Sequence, residues 1–131
     1  MIVIDTNVIV SFWLPGDLTG NAERLINKDP EWIVPVLWRS EFRSVLSLYL
    51  RKKLLTLEKI LNIIEEAEEH LKDNEFYVPS SDIMELVNSS NCSAYDCEFV
   101  ALARNFKTKL ITTDKQILKE FPSITKSLKE F

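Results

Sequence analysis

Two glycines, two cysteines and one histidine are all that this chain of 131 residues contains of three residue types on which much protein chemistry depends. With so little glycine there is no GxxxxGK[ST] phosphate loop and no GxSxG elbow, so neither nucleoside-triphosphate hydrolysis nor serine catalysis has support. Cys92 and Cys97 stand five apart near one predicted helix start, which fits neither a disulfide framework nor a CxxC site, and both are expected to be reduced packing residues. His70 lies within a predicted helix and is expected at the surface, leaving no His and Cys set for zinc. No apolar run approaches the length of a membrane span, and the opening MIVIDTNV enters a strand without a basic leader, so a cytoplasmic protein is expected. Positive charge is not in excess either. Sixteen Lys and Arg against twenty Asp and Glu leave a net charge of −4, which argues against broad electrostatic wrapping of nucleic acid. A local basic rim is still open to Arg39, Arg43, the run Arg51 to Lys53, Lys107, Lys109 and Lys115, with a merely solvated face as the other reading.

What is present is the composition of an ordinary globular protein, 46% hydrophobic and 27% charged. No linker, repeat or low-complexity tract interrupts it, and residues 1–131 read as a single domain. Short apolar runs at Ile2 to Ile4, Trp32 to Val34, Phe76 to Val78 and Lys109 to Ile111 predict strands, and Ile124 marks a fifth. Between them the apolar period changes to that of helices. Leu57, Ile60, Leu61, Ile64, Ala67 and Leu71 mark one face of a helix over Thr56 to Lys72. Leu37 to Lys53 and Ser93 to Phe106 carry similar stripes, and shorter helices are expected at Asn21 to Lys28, Ser80 to Asn88 and Asp114 to Phe121. Alternating strands and helices predict a three-layer α/β/α sandwich around a mostly parallel sheet of four or five strands.

Four acids draw attention within that pattern. Asp5 and Asp114 each follow an apolar strand run, which places both at the edge of a parallel sheet where ligands bind. Each is equally suited to cap a helix. Asp96 follows Ser93 by three residues, as the acid of a capping box does, yet a first-turn carboxylate also points outward from a helix start. Glu41 has Trp38, Val45 and Leu48 as its helical neighbours, so it sits in an apolar stripe. A buried carboxylate there must be paired, protonated or bound to a cation, and neither Arg39 nor Arg43 has the spacing to pair with it along the helix. Oxygen ligands without His or Cys suit Mg²⁺ or Mn²⁺ better than zinc.

The segments VIDTNVIV, WRSEFRSVL, SAYDCEFVALA and LITTDKQIL, in this order over nearly the whole chain, resemble the PIN domain family and, within it, the VapC-type ribonuclease toxins. The resemblance implies that Asp5, Glu41, Asp96 and Asp114 ligate one or two Mg²⁺ or Mn²⁺ ions, with Asn7 and Thr112 supporting them by hydrogen bonds. It implies metal-dependent endonucleolytic hydrolysis of RNA phosphodiester bonds, a homodimer, and a small antitoxin whose basic anchor enters the acidic crevice. Several relatives carry a further acid where Gln116 stands here, which bears on a second metal. Ile9, Phe12, Trp13 and Leu14, close to the first acid, read either as core or as dimer interface. The alternatives are an RNA-processing nuclease that is not a toxin and an inactive PIN-fold binding protein. A phosphoaspartate protein is disfavoured because Asn7 replaces the second acid that such enzymes place two residues after the nucleophile.

Overall fold

A computed structural model describes residues 1–131. Its five strands are β1 (Ile2–Ile4), β2 (Trp32–Pro35), β3 (Glu75–Phe76), β4 (Leu110–Thr112) and β5 (Thr125–Ser127). Every pairing is parallel, in the order β3-β2-β1-β4-β5, with Val3 opposite both Ile33 and Leu110. Seven helices connect them: α1 (Thr6–Trp13), α2 (Thr19–Lys28), α3 (Trp38–Arg51), α4 (Leu57–Leu71), α5 (Ser80–Asn88), α6 (Ala94–Asn105) and α7 (Lys115–Glu120). The first two crossovers step one way along the sheet and the last two step back. Because parallel crossovers are right-handed, α1 to α4 belong to one face and α5 to α7 to the other. Accordingly α6 packs on β1, β2 and β4 with α5 beside it, while α1 contacts β4, α2, α3 and α4. The result is the expected three-layer α/β/α sandwich.

The core explains the sequence of the central strands. Val3, Ile4, Val34 and Leu110 are fully buried because helices cover both faces, and α6 adds Cys97, Phe99, Val100, Ala101, Leu102 and Ala103. Both cysteines are free and buried, and His70 is exposed with its ring edge against Trp13 and Trp32, as expected.

Three expectations need correction. First, residues 6–13 form a helix that was not anticipated. Val8, Ile9 and Val10 are β-branched and favour strand, but the Asp5 side chain caps the backbone at Thr6, and burial of Val8 and Ile9 overrides local preference. Second, β3 lies at Glu75–Phe76 rather than Phe76 to Val78. Glu75 is tolerated in the strand because its carboxylate accepts hydrogen bonds from Trp38 Nε1 at 2.7 Å and from Arg39 at 2.6 and 2.8 Å, and Tyr77 is left exposed. Third, Ile124 precedes the fifth strand instead of marking it. Of the four apolar residues near Asp5, Ile9 and Leu14 are buried in the core, and Phe12 and Trp13 pack against it while staying partly exposed.

Candidate active site

The sheet reverses its direction of winding between β1 and β4, and at such a switch point the loops leaving the two strands diverge and open a crevice. Asp5 and Asp114 are the residues that leave those strands. Each does so as a helix cap: an Asp5 oxygen accepts from Thr6 N at 2.8 Å and an Asp114 oxygen from Ile117 N at 3.0 Å. Capping and facing the crevice are therefore not alternatives here. Asp96 is not itself a cap: it lies in the first turn of α6, which Ser93 caps by accepting from the Asp96 backbone N–H at 3.1 Å. Glu41 comes from the first turn of α3 on the other face.

The four acids line one cavity of about 440 Å³, together with Thr6, Asn7, Val10, Ser11, Val45 and Thr113. None of its lining residues is basic, so any rim of Lys and Arg lies outside the cavity itself. Arg39 is fully engaged elsewhere, held by Glu75 at 2.6 Å and Glu68 at 2.8 Å.

A hydrogen-bonded floor supports the cavity. Thr112, fully buried, donates through its hydroxyl to Asp5 Oδ2 at 2.7 Å and accepts from the backbone N–H of Asp114 at 3.0 Å. Asn7 donates to Asp5 Oδ2 at 3.2 Å and to Thr112 at 3.3 Å, and its carbonyl accepts from Thr113 N at 3.2 Å. With one donor and its acceptor positions all used, the Thr112 hydroxyl has no freedom to turn. This network ties the ends of β1 and β4 together and fixes the direction of both aspartates.

Two neighbours of the acids escaped sequence reasoning. Thr6 donates its hydroxyl to Glu41 Oε1 at 2.7 Å, across a separation of 35 residues that no local pattern reveals. Glu98 lies half-buried near enough to Glu41 to act on its charge, and burial raises its own pKa. Its placement between Cys97 and Phe99 in an apolar helix is the one signal for it in the sequence.

Electrostatically the cavity is under-compensated. Burial is the main reason that the Asp5 carboxyl is raised from 3.8 to about 6, with the charges of Asp96 and Asp114 adding to it and the hydrogen bonds from Thr112 and Thr6 opposing it. Burial likewise raises Glu41, assisted by Asp5, Asp96 and Glu98, and raises Asp96, assisted by Asp114. Such a group of carboxylates is stabilised by a cation, and a set made of oxygen alone fits a hard divalent ion. As they stand, no three acids converge closely enough to enclose one.

Comparison with known proteins identifies the family. Residues 2–122 match the model of the PIN domain. The chain belongs to the PIN domain family. Ribonuclease VapC3 of Pyrobaculum aerophilum is 28% identical to this PIN domain over 126 residues, covering 94% of this chain and 96% of that one. Among solved structures, FitAcB from Neisseria gonorrhoeae superposes with a TM-score of 0.75 at 16% identity over 100% of both chains. A toxin-antitoxin complex from Klebsiella pneumoniae contains a chain that matches with a TM-score of 0.69 at 17% identity, over 98% of each. At these identities the two structures speak to the fold of this PIN domain.

Proposed function

We propose that this PIN domain is a divalent-metal-dependent endoribonuclease and the toxin of a toxin-antitoxin pair. The observation that carries the reading is the placement of Asp5, Glu41, Asp96 and Asp114 around one cavity at the switch point of the sheet, with no cation of the protein among them. These acids would hold one or two Mg²⁺ or Mn²⁺ ions, which when bound supply an activated water and charge neutralisation for phosphodiester hydrolysis. The protein's own part is positional. Thr112 and Asn7 hold Asp5 in a fixed direction, the backbone at Ile117 holds Asp114, and the Thr6 hydroxyl orients Glu41. Val10 and Val45 give the cavity an apolar wall on the side of α1 and α3.

The relative named as a ribonuclease and the neighbour solved as a toxin-antitoxin complex support the same reading. A protein partner is also supported by an apolar surface continuous with the site. Leu48 lies one turn beyond Val45 on α3, and Leu48, Leu54, Leu57 and Leu61 are each more than half exposed along the α3–α4 hairpin. An antitoxin segment covering these leucines would carry an Arg or Lys into the acidic cavity, where it takes the place of a metal ion. A homodimer acting on cytoplasmic RNA completes the proposal, and no helix is long and apolar enough to cross a membrane.

The test is a defined RNA incubated with the protein in Mn²⁺ or in EDTA, alongside Asp96→Asn. Cleavage that requires Mn²⁺ and is lost in the variant is expected. Cleavage in EDTA, or an active Asp96→Asn protein, would remove the metal-site assignment. Growth arrest on expression, reversed by co-expressing the product of the adjacent gene, separates a toxin from a nuclease of general RNA processing.

A further inference from the structure

Charge is distributed unevenly along the chain. Residues 54–100 contain eleven acids and two bases, whereas residues 101–131 contain seven bases and three acids, so the region around β4, α7 and β5 is positive in a protein that is negative overall. The fold gathers these bases on neighbouring elements. Lys115 and Lys119 are exposed and four apart on α7, which places them on one side of the helix that leads away from Asp114. Lys126 follows on β5, the outermost strand on that side of the sheet. Lys107 and Lys109 then stand exposed in the turn that enters β4, at the opposite edge from the acids.

Two hollows occupy this region. One of about 450 Å³ is lined by Arg104, Lys107 and Lys109 and by no acid. The second, of about 270 Å³, is lined by Lys28, Lys109 and Lys126, and its single acid, Asp29, is held at 3.0 Å by the amino group of Met1. Lys109 belongs to both. None of the lysines along this path has a carboxylate within 4.0 Å, although acids outnumber bases in the chain. Isolated surface lysines are commonly unpaired, but a set that starts next to Asp114 and is carried by α7, β5 and the turn before β4, with no carboxylate beside it, creates a local positive field.

We propose that this lysine track along α7, β5 and the turn before β4 binds the phosphate backbone of the RNA strand that flanks the cleavage point. The proposal rests on the RNA-cleaving reading of the acid cavity. It resolves a difficulty in that reading, because a cavity lined by carboxylates repels a polyanion and must be supplied with substrate from a neighbouring positive surface. A strand with one phosphate in the cavity and its continuation over Lys119, Lys126 and Lys107 satisfies both charges. A fragment too short to leave the cavity gains nothing from the track.

The experiment uses two fluorescein-labelled single-stranded RNAs, one of about 6 and one of about 30 nucleotides, with binding followed by anisotropy in EDTA across a salt series. A triple variant, Lys107→Gln with Lys119→Gln and Lys126→Gln, is compared with a charge-matched control, Arg51→Gln with Lys52→Gln and Lys53→Gln. With a slope of about 0.7 per phosphate contact on single strands, three lost contacts lower the log–log salt slope for the long RNA by about 2. An affinity loss of about tenfold at low salt accompanies it. The short RNA and the control variant should show wild-type slopes, and Lys→Arg at the three track positions should retain binding, which excludes a folding defect. Equal effects of the two triple variants, an unchanged slope, or no binding of the long RNA by the wild-type protein would overturn the track. Cleavage of the same RNAs in Mn²⁺ is read separately. Slope loss in a protein that cuts neither RNA would leave the track standing and remove the nuclease reading, and cleavage with an unchanged slope would do the reverse.

Discussion

Replacing Asp5 by Asn in the metal-free protein should change thermal stability with a sign that depends on pH. Asp5 is 8% exposed and its carboxyl pKa is raised from 3.8 to about 6, chiefly by burial. A carboxyl raised in this way keeps its proton in the folded state at pH values where the unfolded chain has released it. The folded protein is therefore most favoured by this group below pH 4, and that advantage is lost as pH rises from about 4 through 6. Over this window the displacement corresponds to about 3 kcal/mol. Asn removes the titration but presents an amide NH₂ where Oδ2 now accepts from Thr112 and Asn7, a mismatch costing roughly 1–2 kcal/mol. At pH 7.5 in EDTA the variant should be the more stable by about 1–2 kcal/mol, near 5 °C in Tm for a chain of this size, whereas at pH 4 it should be the less stable. Thermal unfolding by circular dichroism at four pH values measures the difference. A Tm difference of one sign and constant size from pH 4 to 7.5 would refute the reasoning, because it would mean that the buried charge is not what sets the balance.

Millimolar Mn²⁺ should raise the Tm of the wild-type protein, by an amount corresponding to about 2.7 kcal/mol at a hundred times Kd, and should do much less to an Asp5→Asn, Asp114→Asn double variant. Equal shifts would place the ions elsewhere. Thr6→Val keeps the shape of the side chain but removes the 2.7 Å hydrogen bond to Glu41, so RNA cleavage should fall roughly 10- to 100-fold with the fold unchanged by circular dichroism. Wild-type turnover would show that Glu41 needs no such support. Arg39→Leu breaks the cluster with Glu68 and Glu75 and strands the largely buried Glu75 carboxylate, for an expected loss of about 2 kcal/mol in urea unfolding. Adding Glu75→Gln should recover part of it, and simple additivity would argue against coupling.

The parts of the fold legible in the sequence are those whose local and global demands agree. Ile2 to Ile4 is apolar because both faces of β1 are covered, and the long α3, α4 and α6 show their stripes because each buries one side. α1 was hidden because Val8, Ile9 and Val10 favour a strand when read locally, and only the cap and the core decide otherwise. β3 was misplaced because its polar residue, Glu75, is satisfied by Arg39 and Trp38 from another element. Within the candidate site, Asp5, Asp96 and Asp114 were recognisable by their positions at element starts, and Glu41 by its apolar neighbours. Thr6 had no such marker, since its hydrogen bond to Glu41 arises only when α1 and α3 meet.

That Asp5 and Asp114 cap α1 and α7 while Glu41 caps nothing has a consequence for how this protein would lose activity under selection. A missense change at Asp114, other than to another capping residue, forfeits about 1 kcal/mol of helix stability as well as a carboxylate, and so tends to lower the amount of folded protein, whereas at Asp5 the loss of the cap is offset by removal of a buried charge. A change at Glu41 removes a charge that burial disfavours and leaves the existing helix caps untouched. Survivors that carry abundant, folded and silent protein should therefore be enriched at codons 41 and 5, while those altered at codon 114 should more often contain little protein at all.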